Sequence, residues 1–423
     1  MRAYAVLLLL VLAGCASGAG DLEGDWVGER SGEGAVVTVR TLSGSVWGGV
    51  AHLVEEASIG TLDGADEYLL GRVQDIDSDG ERIYILDDAV NAIRVYDMQG
   101  THITTFGREG SGPGEFQEPR SAAVNPADGN LYVRDGQMSR IGIFTPDGDP
   151  IDHWQLFSGW QMSRELIFAD DGKLYTPALM NVGVPVEEWR FGMISWGLEG
   201  ALGDTFAQPV YDWNPRKLVA HQEGGGTSTN NVPFFPRIYW NMSRERAIVS
   251  GLATEYRFEV RHPDGRMVVI ERDYEPVPVD PDEALWHERA QTANMRNNQP
   301  GWAWNGAPIP RAKSAYDGLY PDLSDRIWVT RPGPGEIHPD GVENPLRDEG
   351  DWWRNPYWVD TYLLDVFESA GRYLGEVDIP DGFSFDRMPY IRNDMVIALV
   401  EDEYGTPYVK RFRLVLPGGS TTQ

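Results

Sequence analysis

The chain has 423 residues, 41% of them hydrophobic and 24% charged, a composition typical of a folded protein and not of a disordered one. Lys and Arg number 36 and Asp and Glu 65, so the net charge is −29. This charge argues against a nucleic-acid partner and against docking on anionic lipid through a basic surface. The 48 Gly, 28 Pro and 15 Trp favour many short strands joined by turns over long helices.

The chain begins with a short apolar segment that ends at its single cysteine. Arg2 precedes the apolar run 3–13, which is too short for a stable membrane-spanning helix but typical of a secretory signal peptide. The residues Leu12-Ala13-Gly14-Cys15 resemble a bacterial lipobox, in which the cysteine receives a diacylglycerol and becomes the new N-terminus. The resemblance implies a signal peptide over 1–14 and lipid attachment at Cys15. The alternative is an ordinary signal peptide with an incidental cysteine.

The same N-terminal pattern predicts where the protein resides. If the lipoprotein rule holds, Ala16 after the cysteine implies sorting to the outer membrane of the bacterial envelope, with a periplasmic or surface-exposed domain. No other apolar run reaches the ~18 residues of a membrane helix, so the lipid would be the sole membrane attachment. Residues 15–49 are predicted to be the lipidated cysteine and a Gly-rich spacer, partly ordered at Ala35 to Arg40.

A repeated unit of alternating strands follows the spacer. Residues 80–100 contain two alternating strands, each followed by a turn, and the same arrangement returns at 129–148, which is typical of a β-meander. Weaker copies give six anchor positions in all: Ile83, Leu131, Leu174, Ile248, Ile327 and Ile397. Two of the five separations are close to the ~40–45 residues of a four-stranded propeller blade, and three equal a blade plus an insertion. The sequence therefore predicts an all-β protein, a six-bladed β-propeller of four-stranded antiparallel blades over 50–417, with a tail at 418–423.

Two segments carry a family resemblance. Residues 105–120, TFGREGSGPGEFQEPR, resemble the linker between blades of NHL-type propellers. Residues 380–383, 396–398 and 408–414 resemble the final blade of bacterial six-bladed β-propeller lipoproteins. The resemblance extends from about Val50 to Leu416, and it implies a fold more than an activity.

The ring is predicted to close between the two ends of the chain. After the last anchor only one more strand, Tyr408 to Leu416, can form, so the sixth blade lacks its outer strand. The segment from His52 to Gly60 precedes the first repeat as Thr101 to Gly107 precedes the second. We therefore expect residues 52–60 to supply the missing strand, because an unpaired edge invites aggregation.

Three patterns have both a chemical and a structural interpretation. The first is a possible calcium loop, Asp75-Ile76-Asp77-Ser78-Asp79-Gly80. Leu86 occupies the position of the expected bidentate acid, so a tight turn is favoured over calcium and no cofactor is assigned.

The second is an incomplete zinc helix, since residues His287 to Gln291 lack the second histidine. Asp280, Pro281 and Glu283 predict a helix start in an insertion. Asp87 and Asp135 follow matching strands and are predicted to be hydrogen-bond acceptors and not catalysts.

Four insertions are predicted to share one face of the ring. By strand parity, residues 177–188 and 332–356 join second and third strands, residues 204–236 and 274–311 join successive blades, and both kinds of connection lie on the same side. They carry the candidate ligand-binding aromatics Trp213, Trp302, Trp304, Trp352 and Trp353, since flat rings stack on sugars and anchor peptides.

These patterns predict a monomeric binding or interaction module for a protein, peptide or glycan. The membrane is contacted through the N-terminal lipid only. No nucleophile elbow or nucleotide-binding glycine motif occurs in the sequence, and no catalytic or metal-ligating residue is assigned. The alternative is a lactonase- or lyase-like propeller enzyme with a metal ion in the central channel, an option that depends on analogy of fold alone.

Overall fold

A computed structural model describes residues 24–156, 165–181, 184, 189–197, 200–347, 353–354, 356–385 and 387–418. The predicted signal peptide, Cys15 and the residues from 419 onward lie outside these residues. None of the helices in this part of the chain is long and apolar enough to cross a membrane.

The described residues form six antiparallel blades preceded by three N-terminal strands. The N-terminal strands are β1 (Val27–Glu33), β2 (Val36–Ser43) and β3 (Ala51–Ile59). Blade 1 contains β4 (Val73–Ser78), β5 (Arg82–Asp87), β6 (Ala92–Asp97) and β7 (His102–Phe106), after a 3-10 turn at Asp66–Tyr68. Blade 2 contains β8 (Pro119–Val124), β9 (Leu131–Asp135), β10 (Arg140–Phe144) and β11 (Pro150–Gln155).

The next two blades are separated by an inserted hairpin. Blade 3 contains β12 (Ile167–Phe168), β13 (Leu174–Leu179), β14 (Phe191–Trp196) and β15 (Leu202–Ala207). The hairpin consists of β16 (Leu218–His221) and β17 (Thr227–Asn230). Blade 4 contains β18 (Ile238–Met242), β19 (Ile248–Leu252), β20 (Arg257–Arg261) and β21 (Met267–Arg272).

A helix separates blade 4 from the last two blades. It is α1 (Pro281–Asn298). Blade 5 contains β22 (Gly318–Pro321), the long strands β23 (Arg326–Ile337) and β24 (Trp358–Glu368), and β25 (Tyr373–Asp378). Blade 6 contains β26 (Tyr390–Arg392), β27 (Met395–Glu401) and β28 (Pro407–Val415).

The six sequence anchors identify the blades correctly. Each lies in the second strand of a different blade, namely β5, β9, β13, β19, β23 and β27. These strands are apolar because they are packed on both sides, and Ile83, Leu131 and Ile397 are fully buried. The predicted six-bladed β-propeller is confirmed.

The N-terminal segment closes the ring as predicted. β3 pairs antiparallel with β28 along its length, from Ile59 opposite Val409 to His52 opposite Val415. It thereby provides the fourth strand of blade 6. Its first residues, Ala51 and His52, also pair in parallel with Val377 and Asp378 of blade 5, so the sheets of blades 5 and 6 are continuous.

Part of the predicted spacer is folded onto the propeller. β1 and β2 form a hairpin, and β2 pairs in parallel with β21, which extends blade 4 to six strands. Between β2 and β3, the amides of Val46 and Trp47 donate hydrogen bonds to the carbonyls of Tyr373 and Leu374 in blade 5. Residues 27–59, here called the belt, therefore cross the outer edges of blades 4, 5 and 6. The folded region begins before residue 50, where the sequence predicted a spacer.

Three of the four insertions pack together into a body here called the cap, whose described residues are 208–237, 273–317, 338–347, 353–354 and 356–357. The Trp286 indole of α1 donates to the carbonyl of Val342, and the indole of Trp302 donates to that of Val219, at 2.8 and 2.7 Å. These contacts confirm that the three insertions share one side of the ring. The fourth insertion, between β13 and β14, is only partly within the described residues.

Candidate functional site

A cavity of about 410 Å³ occupies the central channel. The inner strand of every blade contributes to its wall, from β4, β8, β12, β18, β22 and β26. Its volume is within the range of roughly 300–1,000 Å³ that is usual for small-molecule sites. Because six separate blades bound the cavity, its frame is rigid. A rigid frame can hold the side chains of a ligand site in fixed geometry.

The cavity lies toward the face opposite the cap. Its wall includes the carboxyl-terminal halves of the inner strands and residues of the short turns that follow them, such as Asp79, Asn125 and Gly129. Two segments of the cap, 208–237 and 273–317, lead into the amino-terminal ends of the inner strands β18 and β22. No residue of the cap contributes to the described cavity wall. The cavity is thus not on the insertion-bearing face, where the sequence placed the ligand.

Asp75 and Asp77 connect blade 1 to blade 2 at the cavity wall. Residues i and i+2 of a strand point to the same face, so both side chains of β4 face β8. The Asp75 carboxylate accepts from the backbone amide of Ala122 at 2.9 Å, and that of Asp77 accepts from Val124 at 2.6 Å. Each also accepts from the amide of the next residue in its own strand. β8 is the edge strand of its sheet, paired with β9 on one side only. The bonds from Asp75 and Asp77 satisfy backbone amides on its other side.

The cavity raises the pKa of both carboxyl groups. Burial raises the pKa of Asp75 to about 8, and the nearby charges of Asp77 and Glu165 act in the same direction. Burial also raises the pKa of Asp77 to about 7, although the backbone hydrogen bonds and the positive charge of Arg244 oppose the rise. Carboxyl groups that titrate near neutral pH inside a cleft are typical of functional sites.

Glu165 is the third carboxyl group of the wall. It lies just before β12 of blade 3, and it is half-buried. Among the described residues it forms no hydrogen bond and no ion pair, and burial alone raises its pKa. A half-buried carboxylate without a partner is costly unless a ligand compensates it.

The rest of the wall combines basic and aromatic side chains. Arg244 pairs with Asp170 at 3.2 Å, and its buried Nε atom has no hydrogen-bond partner among the described residues. Arg392 is exposed at the end of β26. The rings of Tyr320 and Phe385 are stacked with centroids 5.5 Å apart. The site therefore offers carboxylates, an aromatic surface and two guanidinium groups.

The predicted turn at residues 79–80 is confirmed, and the calcium pattern has a different explanation. Asp79 accepts from the amides of Glu81 and Arg82 and from the Tyr84 hydroxyl, all within 2.9 Å. Gly80 follows with a φ of +92°, a conformation that favours glycine. Because Asp75 and Asp77 bond to blade 2 and Asp79 bonds to its own turn, the three carboxylates do not converge on one point.

The repeat-matched aspartates Asp87 and Asp135 are hydrogen-bond acceptors, as predicted. Asp87 is fully buried and accepts from the amides of Gly71 and Arg72, just before β4. Asp135 accepts from the amides of Gln117 and Glu118, just before β8. Each carboxylate therefore fixes the chain where it enters the inner strand of its blade.

The predicted ligand-binding tryptophans have different environments. Trp302 is 2% exposed in the core of the cap, beside Leu218 and Met295. Trp213 and Trp304 are half-buried, and their indoles donate to the carbonyls of Pro236 and Ala307. Trp353 is 59% exposed, and Trp352 lies outside the described residues. Trp302 presents no open ring face, so among the described tryptophans only Trp353 is freely accessible to a ligand; its role stays a prediction.

The helix with the incomplete zinc motif is part of the cap. Asp280 and Glu283 form a capping box, and Pro281 occupies the first turn, as the sequence predicts. His287 contacts the rings of Phe234 and Trp286, and burial lowers its pKa to about 4. Gln291 accepts from the Asn230 side chain of β17. Within the described ranges, no group of three His, Cys, Asp or Glu side chains is arranged to hold a metal ion.

The fold and its channel define a six-bladed β-propeller. Residues 53–155 match the model of the DUF5128 family, described as a 6-bladed beta-propeller. A member of the DUF4221 family from Bacteroides vulgatus is similar in structure, at 11% identity and a TM-score of 0.52, with 86% of this chain and 98% of that chain covered. Virginiamycin B lyase from Staphylococcus aureus is also 11% identical, with a TM-score of 0.39 and 81% and 95% covered. No curated protein sequence matches the chain.

Sequence reasoning did not identify the channel residues. Glu165 belongs to no recognisable motif, and Arg244 lies in a turn after β18. The available signal was the pair of acids at 75 and 77, since two carboxylates at alternate positions of an inner strand must face the same side. The sequence pattern 75–80 nevertheless predicts a turn, because Asp79 and Gly80, which follow the two acids, do form one.

Proposed function

We propose that this protein is an extracytoplasmic binding module, tethered by a lipid on Cys15, whose ligand occupies the channel cavity. The observation that carries the proposal is the cavity of about 410 Å³ with the Glu165 carboxylate in its wall, which has no hydrogen-bond or ion-pair partner among the described residues. A site that only supports the fold would pair such a group or replace it with an apolar side chain. The tether is supported by the lipobox-like residues 12–15.

The size of the cavity limits what can bind. It accommodates a small molecule or one end of a longer chain, such as a terminal sugar or a side chain of a peptide. Trp353, on the opposite side, is a candidate for contact with a larger partner because its ring is exposed. Three insertions of the cap pack on one another, and the cap therefore acts as a support for the ring in this proposal.

Binding can be tested without knowledge of the ligand. The full-length protein would be melted in the presence of a panel of amines, amino acids, short peptides and sugars. At least one compound is expected to raise the melting temperature, because a ligand that binds only the folded state stabilises it. The control is Met388→Trp, which places a larger side chain in the cavity wall. Compounds that stabilise both proteins equally, or a panel without any effect, would contradict the proposal.

A further inference from the structure

Some acidic side chains of the cavity wall have ion-pair or hydrogen-bond partners that compensate their charge, and others have no ion pair. Asp75, Asp77 and Glu165 form no ion pair with any described residue. The other two acids of the wall are engaged: Asp79 bonds within its turn, and Asp322 pairs with Arg326 at 2.6 Å and accepts from the Trp328 indole. Three carboxyl groups of the cavity wall therefore form no ion pair within the described residues, and only Asp77 has a nearby positive charge, that of Arg244.

The free acceptor capacity of these carboxylates is large. Each oxygen of Asp75 and of Asp77 accepts one hydrogen bond, whereas a carboxylate offers about four acceptor positions in all. No described residue donates a hydrogen bond to Glu165, so all of its acceptor positions are open to a ligand. Glu165 and Asp75 lie close enough for their negative charges to interact. A cationic donor group placed between them would be attracted by both charges and would satisfy acceptors that the protein leaves open.

An apolar surface lies in the same cavity. The stacked Tyr320 and Phe385 rings and the Met388 side chain contribute to the wall from blades 5 and 6. Aromatic faces stabilise both an apolar body and an adjacent cation, by stacking and by cation–π attraction. Arg244 and Arg392 lie toward the short-turn rim, so positive charge is confined to that part of the wall.

We propose that the cavity binds a small organic cation with an aromatic or apolar body, its ammonium group between Glu165 and Asp75 and its body against Phe385 and Tyr320. This inference rests on the proposed function, and it specifies the ligand class of the same site. It excludes simple anions, which the three carboxylates would repel, and it places the ligand away from the cap.

The test uses three probes of the same shape and different charge. They are 2-phenylethylamine, the neutral 2-phenylethanol and the anionic 3-phenylpropionate, titrated calorimetrically into the full-length protein. We expect the amine to bind at least about tenfold more tightly than the alcohol, since it gains charge-assisted hydrogen bonds, and we expect no binding of the anion. Equal affinity for amine and alcohol, or no binding of the amine, would overturn the proposal.

Two variants separate a specific contact from general electrostatic attraction. Glu165→Gln keeps the size of the side chain and removes its charge, and it is expected to weaken amine binding about tenfold or more. Because Glu165 makes no hydrogen bond to a described residue and burial disfavours its charge, the empty variant should melt at the parental temperature or above it. The matched control is Glu223→Gln, an exposed acid in the turn between β16 and β17 that is outside the cavity wall. An unchanged amine affinity in Glu165→Gln, or an equal loss in both variants, would refute the assignment.

The pH dependence provides a second readout. The groups that face the ammonium position are Asp75, Asp77 and Glu165, with Asp79 and Arg244 nearby. Since burial raises the pKa of Asp75 to about 8 and that of Asp77 to about 7, these groups lose protons between pH 6 and 8 while the amine keeps its charge. Affinity is therefore expected to increase over this range. An affinity that falls would contradict the proposal.

The two proposals can fail separately. If none of the three probes binds but another compound of the panel stabilises the parent and not Met388→Trp, the channel is a binding site for a different ligand class. In that case the organic-cation inference is wrong and the proposed function stands. If no compound distinguishes the parent from Met388→Trp, both fail.

Discussion

The Nζ atom of Lys313 lies 2.7 Å from Oε1 of Glu283, and both side chains are 1% exposed. Glu283 belongs to the first turn of α1, and Lys313 lies in the segment that leads into blade 5. Lys313 also contacts Asp360 of β24 at 3.0 Å and lies over the ring of Phe234. One ammonium group thus joins the helix, the cap and the long hairpin of blade 5.

Removing this cation should loosen the cap. In Lys313→Met the Glu283 carboxylate stays buried without its partner, which typically costs about 3–5 kcal/mol. We expect faster amide hydrogen exchange in α1 and a lower melting temperature, whereas Lys217→Met, at an exposed position of the same cap, should change neither. Equal exchange rates in the two variants would show that the buried pair does not hold the cap.

The stability of the empty protein should decrease as the pH rises. Burial raises the pKa of Asp75 to about 8 and of Asp77 to about 7, against an ordinary value of 3.8. Between these values the folded state binds more protons than the unfolded chain, so the free energy of unfolding falls with increasing pH. Melting temperatures measured from pH 5 to pH 8 should therefore decline.

The variants Asp75→Asn and Asp77→Asn should flatten that decline, since an amide does not titrate. The control Asp63→Asn alters an exposed acid that is not part of the cavity wall and should leave the slope unchanged. A slope that is the same in all four proteins would mean that the two channel groups are charged throughout the range.

Ring closure can be tested by two nested deletions. Removing residues 24–44 eliminates β1 and β2 from the outer edge of blade 4, while removing residues 24–60 also eliminates β3 from blade 6. The shorter deletion should lower the melting temperature and preserve one cooperative transition. The longer deletion exposes β28 along its length and should destabilise the whole propeller. Identical melting curves for the longer deletion and the parent would refute closure by β3.

Lipid attachment is expected to depend on Cys15 alone. The residue lies outside the described part of the chain, so this prediction rests on the lipobox-like sequence. In a bacterial host fed a labelled fatty acid, the parent should incorporate label, and Cys15→Ser should incorporate none and remain mostly unprocessed. Gly14→Ala, which keeps a small residue before the cysteine, is the control and should retain labelling. Unchanged labelling of Cys15→Ser would end the hypothesis.

The accuracy of the sequence predictions follows from how local each signal is. Ile83 and Ile397 are recognisable in the sequence because the second strand of a blade is apolar or alternates apolar and polar residues, a pattern that a few neighbouring residues define. The pairing of β3 with β28 was predicted by counting strands, although its residues are more than 300 positions apart. The burial of Trp302, a predicted ligand-binding residue, could not be foreseen because it depends on Leu218 and Met295, contacts that no local pattern reveals.

The residues of the channel show more clearly that contacts between distant parts of the chain cannot be predicted from local sequence patterns. Asp75 was recognised as chemically notable, but its partner Ala122 is 47 residues away on another blade. Glu165 has no partner at all among the described residues, and a sequence pattern cannot show the absence of one. Six inner strands converge on the cavity, so its composition becomes visible only after the ring is assembled.

The belt also sets an order of assembly. β2 is among the first strands to be synthesised, yet its neighbour β21 begins at residue 267, and β3 must wait for β28, which begins at residue 407. Blades 1 and 2 can form from contacts within 50 residues, whereas blade 6 cannot be completed until β28 has been made. Such long separations slow folding and leave strand edges open in the meantime. β1 and β2 can pair with each other early, whereas β3 is the last of the three belt strands to find its neighbour.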